Sequence, residues 1–191
     1  MGLPAILFDL GDCIIREATE EKVDDVTRRA ELVPGMADLL RSLRHGGHRL
    51  GLVADTRPGT YKNVLRQHDL DELFEAFAIS DELDAQKPDR RMFLHALDAL
   101  AIPEADWRRV AMVGNNLARD IRGANALGLI SIWMVWNPDY PTVPAGPEET
   151  PDYQVSTAED LGRLLAALDG QLDATAYRHP RPFPWRTDVS A

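Results

Sequence analysis

Short, mostly apolar runs at Ala5 to Phe8, Arg49 to Ala54, Ala76 to Ile79, Val110 to Val113 and Leu129 to Trp136 alternate with stretches whose apolar residues recur at helical spacing. That alternation constrains the fold more than any other feature, because parallel neighbours in a sheet need a crossover long enough to hold a helix. Pro34-Gly35 introduces Met36, Leu39, Leu40 and Leu43, a stripe that ends at Gly46-Gly47. Pro58-Gly59 opens a second helix with Tyr61, Val64 and Leu65 on one side, and Pro88-Asp89 a third with Met92, Phe93, Ala96, Leu97 and Leu100 inward. A fourth runs from Leu117 to Leu127 and stops at Gly128; a last one, Thr157 to Leu168, follows a short strand candidate at Tyr153 to Val155. The chain is therefore expected to be α/β, a doubly wound parallel sheet in a three-layer α/β/α arrangement.

Two segments fall outside the pattern. Glu17 to Leu32 is charge-rich, with Val23, Val26 and Ala30 about one helical turn apart, and reads as a short amphipathic helix or an ordered flap, the flap candidate spanning residues 14–32. Residues 170–191 form a proline-rich tail after a single domain spanning 1–169; Pro180, Pro182 and Pro184 exclude a regular helix, and Phe183 and Trp185 suggest docking onto the body or onto a second subunit. Cys13 is the only cysteine, so no intramolecular disulfide can form and a reducing cytoplasm fits best. A net charge of −10 opposes an electrostatic grip on nucleic acid, and no apolar run approaches the length of a membrane span. The five histidines have no metal-ligand spacing.

Asp9 closes the first run and is followed by Leu10-Gly11-Asp12, which lifts a carboxylate onto the rim of a buried strand. Ligands of open α/β sheets collect at the carboxyl ends of strands, which makes Asp9 a candidate nucleophile or metal ligand. Taken alone, the segment reads as a turn. Three further segments fall at the ends of successive predicted strands: Ala54-Asp55-Thr56-Arg57, Lys87-Pro88-Asp89, and Gly114-Asn115-Asn116 running on through Asp120 to Gly123-Ala124 and Leu127-Gly128.

Together these four segments resemble the haloacid dehalogenase (HAD) superfamily over residues 4–168, and the glycine turn, acidic residue and Gly-Ala helix of the fourth carry most of the specificity. The resemblance implies a Rossmann-like core and phosphate-ester hydrolysis with Mg2+ through an aspartyl-phosphate. Asp9 matches the nucleophile, and Lys87 the lysine that neutralises it and the transferring phosphoryl group. A carboxylate, a divalent ion and a lysine are a sufficient minimal kit for that chemistry. The metal ligands implied are Asp9, the Gly11 carbonyl, Asn115 and Asp120.

The sequence departs from the family pattern at three positions. Gly11 stands two residues after the nucleophile, where most family phosphatases place an Asp that moves protons; a positioned acid/base contributes about 10²–10⁴-fold. Asp12, one position later, is the catalytic carboxylate on offer, although adjacent residues leave the backbone in different directions. Ala54 replaces a phosphate-binding Ser or Thr, with Thr56 and Arg57 as the substitutes for substrate binding. Asn115 replaces a metal-binding Asp, and the lost charge predicts weakened magnesium binding.

Only about 40 residues separate the first and second segments, too few for a large cap domain. Within the family, a capless member acts on large substrates, closes its site as a homo-oligomer, or uses a small flap, here 14–32. The expected substrate is a phosphorylated metabolite or protein, with neither nucleic acid nor membrane as partner. Two other readings compete: a catalytically eroded scaffold kept as a binding or regulatory module, and a response-regulator receiver, whose acidic pocket and lysine are similar to Asp9, Asp12, Asp55 and Lys87.

Overall fold

The structure, a computed structural model, describes residues 2–135 and 140–170. Its first strand, β1 (Ala5–Phe8), is buried on both faces, which is why every residue in it is apolar. The chain then makes an excursion through a 3₁₀ turn, Glu17–Thr19, and an antiparallel hairpin of β2 (Glu21–Val23) and β3 (Val26–Arg29). From there the expected alternation follows: α1 (Met36–His45), β4 (Arg49–Ala54), α2 (Pro58–Gln67), β5 (Ala76–Ile79), the single turn α3 (Ser80–Leu83), α4 (Arg90–Ala99), β6 (Ala111–Gly114), α5 (Arg122–Leu127), β7 (Ile130–Met134), β8 (Tyr153–Val155) and α6 (Ala158–Leu168).

The larger sheet has the order β5-β4-β1-β6-β7-β8, and its pairings are parallel. Successive residues of a strand face opposite layers. Ile6 and Phe8 share one apolar cluster with Leu40 of α1, Leu65 of α2 and Leu161 of α6, whereas Ala5 and Leu7 share another with Phe93 and Leu97 of α4 and Ala124 of α5. The architecture is thus the expected doubly wound α/β/α sandwich, without a large separate cap among the described residues. Winding reverses beside β1, between β4 and β6, and the crevice that such a reversal opens lies at the strands' carboxyl ends.

The helical reading of residues 17–32 is corrected by the hairpin. Asp24 and Asp25 take φ of 52° and 57°, the pair of left-handed positions that a two-residue hairpin turn requires, and Val23 is half exposed instead of facing a core. The outer edge of β3 and the residue after it are satisfied by side chains of α2. Thr60 Oγ1 accepts from the Thr27 N–H at 3.0 Å, Asn63 Nδ2 donates to the Thr27 carbonyl at 2.9 Å, and Gln67 brackets Ala30, donating to its carbonyl at 3.0 Å and accepting from its N–H at 3.1 Å. Backbone groups that a helix would have paired internally are paired across the chain instead. The hairpin is rooted through the Arg16 N–H to the Glu31 carbonyl, 2.8 Å, and the Val33 N–H to the Ile14 carbonyl, 2.9 Å.

The strand expected to reach Trp136 ends at Met134. Trp136 and residues 171–191, with Phe183 and Trp185, lie outside the described residues. No helix among the described residues is long and apolar enough to cross a membrane.

Candidate active site

Asp9 follows β1 directly, and its N–H is held by the Val113 carbonyl at 2.9 Å, so the neighbouring strand fixes where the carboxylate emerges. Lys87, in the loop between α3 and α4, sends its ammonium back to the same place. Its Nζ donates to Asp9 Oδ1 at 2.6 Å and to Asp120 Oδ1 at 2.6 Å, and the side chain is 2 % exposed. The backbone of Lys87 is anchored as well: Asp55, just past β4, accepts its N–H at 2.9 Å.

Asp120 lies in a wide π-type turn, Leu117–Ile121, which replaces the first part of the helix expected there. Asn116 starts this turn, accepting from the N–H groups of Ala118 and Arg119 with its side chain, while its own N–H donates to Asp120 Oδ2 at 3.0 Å. A Cβ on Gly114 would stand 2.3 Å from the Asp120 carboxyl carbon, so only glycine lets that carboxylate reach Lys87. Two carboxylates thus share one buried ammonium. Burial lowers the Lys87 pKa, but the charges of Asp120, Asp9 and Asp55 outweigh it, and the group stays protonated well above the ordinary lysine range. Burial, and then the charge of Asp9, push the Asp120 carboxyl up to about 7 against the pull of Lys87. The ammonium keeps its proton because carboxylates surround it, and Asp120 is hard to ionise first because it is buried and then because Asp9 lies beside it.

Asp9, Gly11, Thr56, Arg57, Lys87 and Asn115 line one cleft of about 480 Å³. Asp120 is fully buried and stands behind Lys87. Asp12 is placed differently from the catalytic role the sequence offered it. It is buried, with φ of 45°, outside the lining of the cleft, and its Oδ1 accepts the Glu17 N–H at 3.0 Å. Adjacency to the strand end turns its side chain inward, where it organises the loop.

The residues proposed to replace the missing hydroxyl at Ala54 are both at the cleft, in different states. The Thr56 carbonyl accepts from Ser80 Oγ at 3.2 Å. Arg57 is occupied by the hairpin tip, donating to the Asp24 carbonyl at 3.0 Å and pairing with Asp25 at 3.5 Å.

Sequence reasoning did not single out Glu17 or Tyr140, which also line the cleft. A Cβ on Gly11 would fall 1.9 Å from Glu17 Oε1, and the Tyr140 hydroxyl donates to Glu17 Oε2 at 2.8 Å. Burial raises the Glu17 pKa against the pull of that bond, and burial together with Glu17 raises that of Tyr140. Only the missing side chain at Gly11 hints at this in the sequence; Tyr140 is 123 positions away from Glu17.

Cys13 is buried beneath the site with its Sγ donating to the Val113 carbonyl at 3.5 Å, and burial, then the charges of Asp9 and Asp120, push its thiol well above the usual range. The native protein is expected not to react with Ellman's reagent at neutral pH and to titrate as one thiol per chain once denatured, since only the thiolate is nucleophilic. Rapid reaction of the native protein would contradict that placement.

The oxygen donors at the strand ends suit a hard divalent cation in kind. No group of three acidic, histidine or cysteine side chains that could hold a metal is assembled among the described residues. Asn115 lines the cleft with its Nδ2 buried and without a hydrogen-bond partner among the described residues, a cost of about 1–3 kcal/mol that a ligand oxygen accepting from the amide would offset.

A carboxylate emerging at the switch point of a parallel sheet and backed by a buried ammonium is the arrangement that the four sequence segments lead one to expect of the family they resemble. The chain belongs to the haloacid dehalogenase-like hydrolases, whose sequence model matches residues 5–128, a span that takes in Asp9, Lys87, Asn115 and Asp120. That match removes the receiver reading. The glyceraldehyde 3-phosphate phosphatase of Pyrococcus abyssi is 34% identical over 102 residues, 53% of this chain and 42% of the relative. The phosphoserine phosphatase of Thermus thermophilus is 29% identical over 160 residues, 84% of this chain and 58% of the relative. The chain thus spans about half the length of the curated relatives it matches. Among solved structures, the magnesium-bound HAD-hydrolase YfnB of Bacillus subtilis has a TM-score of 0.70 at 20% identity, covering 86% of this chain and 99% of that one. A protein from Listeria monocytogenes serotype 4b has a TM-score of 0.72 at 24% identity, covering 88% and 99%. These two likenesses are likenesses of fold.

Proposed function

We propose that this chain is a magnesium-dependent phosphatase that hydrolyses a small phosphorylated metabolite through an aspartyl-phosphate on Asp9. The observation that carries the reading is the Lys87 ammonium, 2.6 Å from Asp9 Oδ1 and from Asp120 Oδ1 at the head of a polar cleft. With Oδ1 tied to Lys87, Oδ2 is the oxygen that attacks phosphorus; the ester P–O bond breaks, and water later displaces Asp9 from the phosphoryl group. Lys87 orients the nucleophile and offsets charge on the phosphoryl oxygens, which is most of what such a transfer asks of a protein. Magnesium, held by Asp9, the Gly11 carbonyl and Asn115 with Asp120 in support, would add positive charge at the same oxygens.

A cleft of about 480 Å³ suits a small ester better than a protein surface, and the hairpin, which with the preceding Glu20 contributes Lys22, Asp25 and Thr27 to the lining, serves as its small lid. The names of the relatives, phosphatases of glyceraldehyde 3-phosphate and phosphoserine, point to substrates of that size. The expected result is turnover of 4-nitrophenyl phosphate that appears with magnesium and disappears with a chelator, together with magnesium-dependent capture of beryllium fluoride. Neither turnover nor capture at saturating magnesium would replace this reading with that of an eroded scaffold that only binds.

A further inference from the structure

We propose that Glu17 is the general acid and base of the reaction, a role that presupposes the phosphatase reading. Gly11 leaves a vacant side-chain position beside the nucleophile, and Glu17 fills it from another part of the chain. Measured from a Cβ built on Gly11, Glu17 Oε1 lies at 1.9 Å, its Cδ at 2.8 Å and its Cγ at 3.1 Å, so the carboxyl occupies the volume that a residue-11 side chain would take.

That carboxyl is held from both sides. The Glu17 N–H donates to the buried Asp12 Oδ1 at 3.0 Å, which fixes the backbone, and the Tyr140 hydroxyl donates to Oε2 at 2.8 Å, leaving Oε1 over Gly11. Asp12 is thereby a positioning residue for Glu17.

The other acids that line the cleft are engaged differently. Asp9 is on Lys87, Glu20 on Lys22, Asp55 on Arg119, and Asp25 and Asp81 on Arg57. Among the described residues Glu17 is the cleft carboxyl held by a neutral phenol instead of a cation. A group that must give up a proton and take it back is hindered by a fixed counter-charge, which locks it in the ionised form.

The proton count closes over the cycle. As Asp9 Oδ2 bonds to phosphorus and the ester P–O bond breaks, the proton of Glu17 goes to the departing oxygen, which leaves as an alcohol. In the second half Glu17, now a carboxylate, takes a proton from the water whose oxygen bonds to phosphorus. The bond from Asp9 breaks, the Asp9 carboxylate is restored, and Glu17 is protonated again.

The test compares the full chain with its Glu17→Gln variant, nearly isosteric and still able to accept from Tyr140, on phenyl phosphate and 4-nitrophenyl phosphate at saturating magnesium. The two esters differ little in shape and strongly in how much their leaving oxygen needs a proton. Loss of an acid/base should slow phenyl phosphate by about 10²–10⁴-fold. With the nitrophenyl ester the variant should instead release one fast equivalent of nitrophenol per chain and then stall, because the aspartyl-phosphate forms but does not hydrolyse. Equal losses on both esters without a burst, or no loss on either, would overturn the assignment to Glu17 while leaving the phosphatase reading intact. Absence of turnover by the unsubstituted chain would overturn both.

Discussion

Asp9→Asn is expected to abolish turnover of 4-nitrophenyl phosphate, a loss on the order of 10⁴-fold or more, without lowering stability. An amide cannot form the aspartyl-phosphate; of the two nearest acids, Asp12 is buried beneath the loop and Asp120 stands behind Lys87. Stability should hold or rise, because the change removes one of two carboxylates competing for a single buried ammonium. Steady-state kinetics beside urea unfolding separates the two effects. Turnover above about one per cent of the unsubstituted rate would mean that another group attacks phosphorus.

Lys87→Met is expected to cost about 3–5 kcal/mol of folding stability, the usual result of removing one partner from a buried ion pair. Asp120, with no exposed surface, would keep the Asn116 N–H but lose its counter-charge. The cost should depend on pH in a definite direction. The Asp120 carboxyl already sits near 7 against an ordinary value of 3.8, so the folded chain holds a proton that the unfolded chain has released. Its contribution to stability is therefore complete below about 3.8 and declines as pH rises through about 7. Without Lys87 the folded value climbs further, and the decline extends into the alkaline range. Urea unfolding of the metal-free protein on either side of neutrality should show the variant's deficit growing with pH, and adding Asp120→Asn should recover most of it. A deficit below about 1 kcal/mol that ignores pH would refute the pairing.

The parts of this molecule legible in the sequence are those set by local pattern. Ile6 to Phe8 and Leu50 to Ala54 are apolar because both faces of the sheet are covered, and Asp9 and Asp55 stand out because they interrupt those runs at the carboxyl ends. The hairpin was harder to read. Its register depends on Thr60, Asn63 and Gln67 of α2, whose spacing says only that they share a helical face. The left-handed pair Asp24-Asp25 is a turn signal that the helical spacing of Val23, Val26 and Ala30 obscured. Within the site, proximity along the chain misled: Asp12, next to Gly11, turns away, whereas Glu17, six positions on, turns back over it. Which of two nearby carboxylates faces a cleft is decided by a positive φ at one residue and a phenol far downstream, and neither leaves a periodic trace.

On the proposed reading, in which the hairpin covers a bound phosphate ester, the side-chain bonds that stitch β3 to α2 bear on how that ester would be selected. A cover hung on a free loop would wrap each visitor and settle the fit after arrival, with a fresh ordering cost every cycle. Here the aperture is cast when the chain folds: its width is the distance from one helix to one turn, and Arg57 rivets the far corner to the carbonyl of Asp24. Discrimination between guests would then belong to a gauge set by the fold, and altering it would mean recutting α2 and the hairpin together.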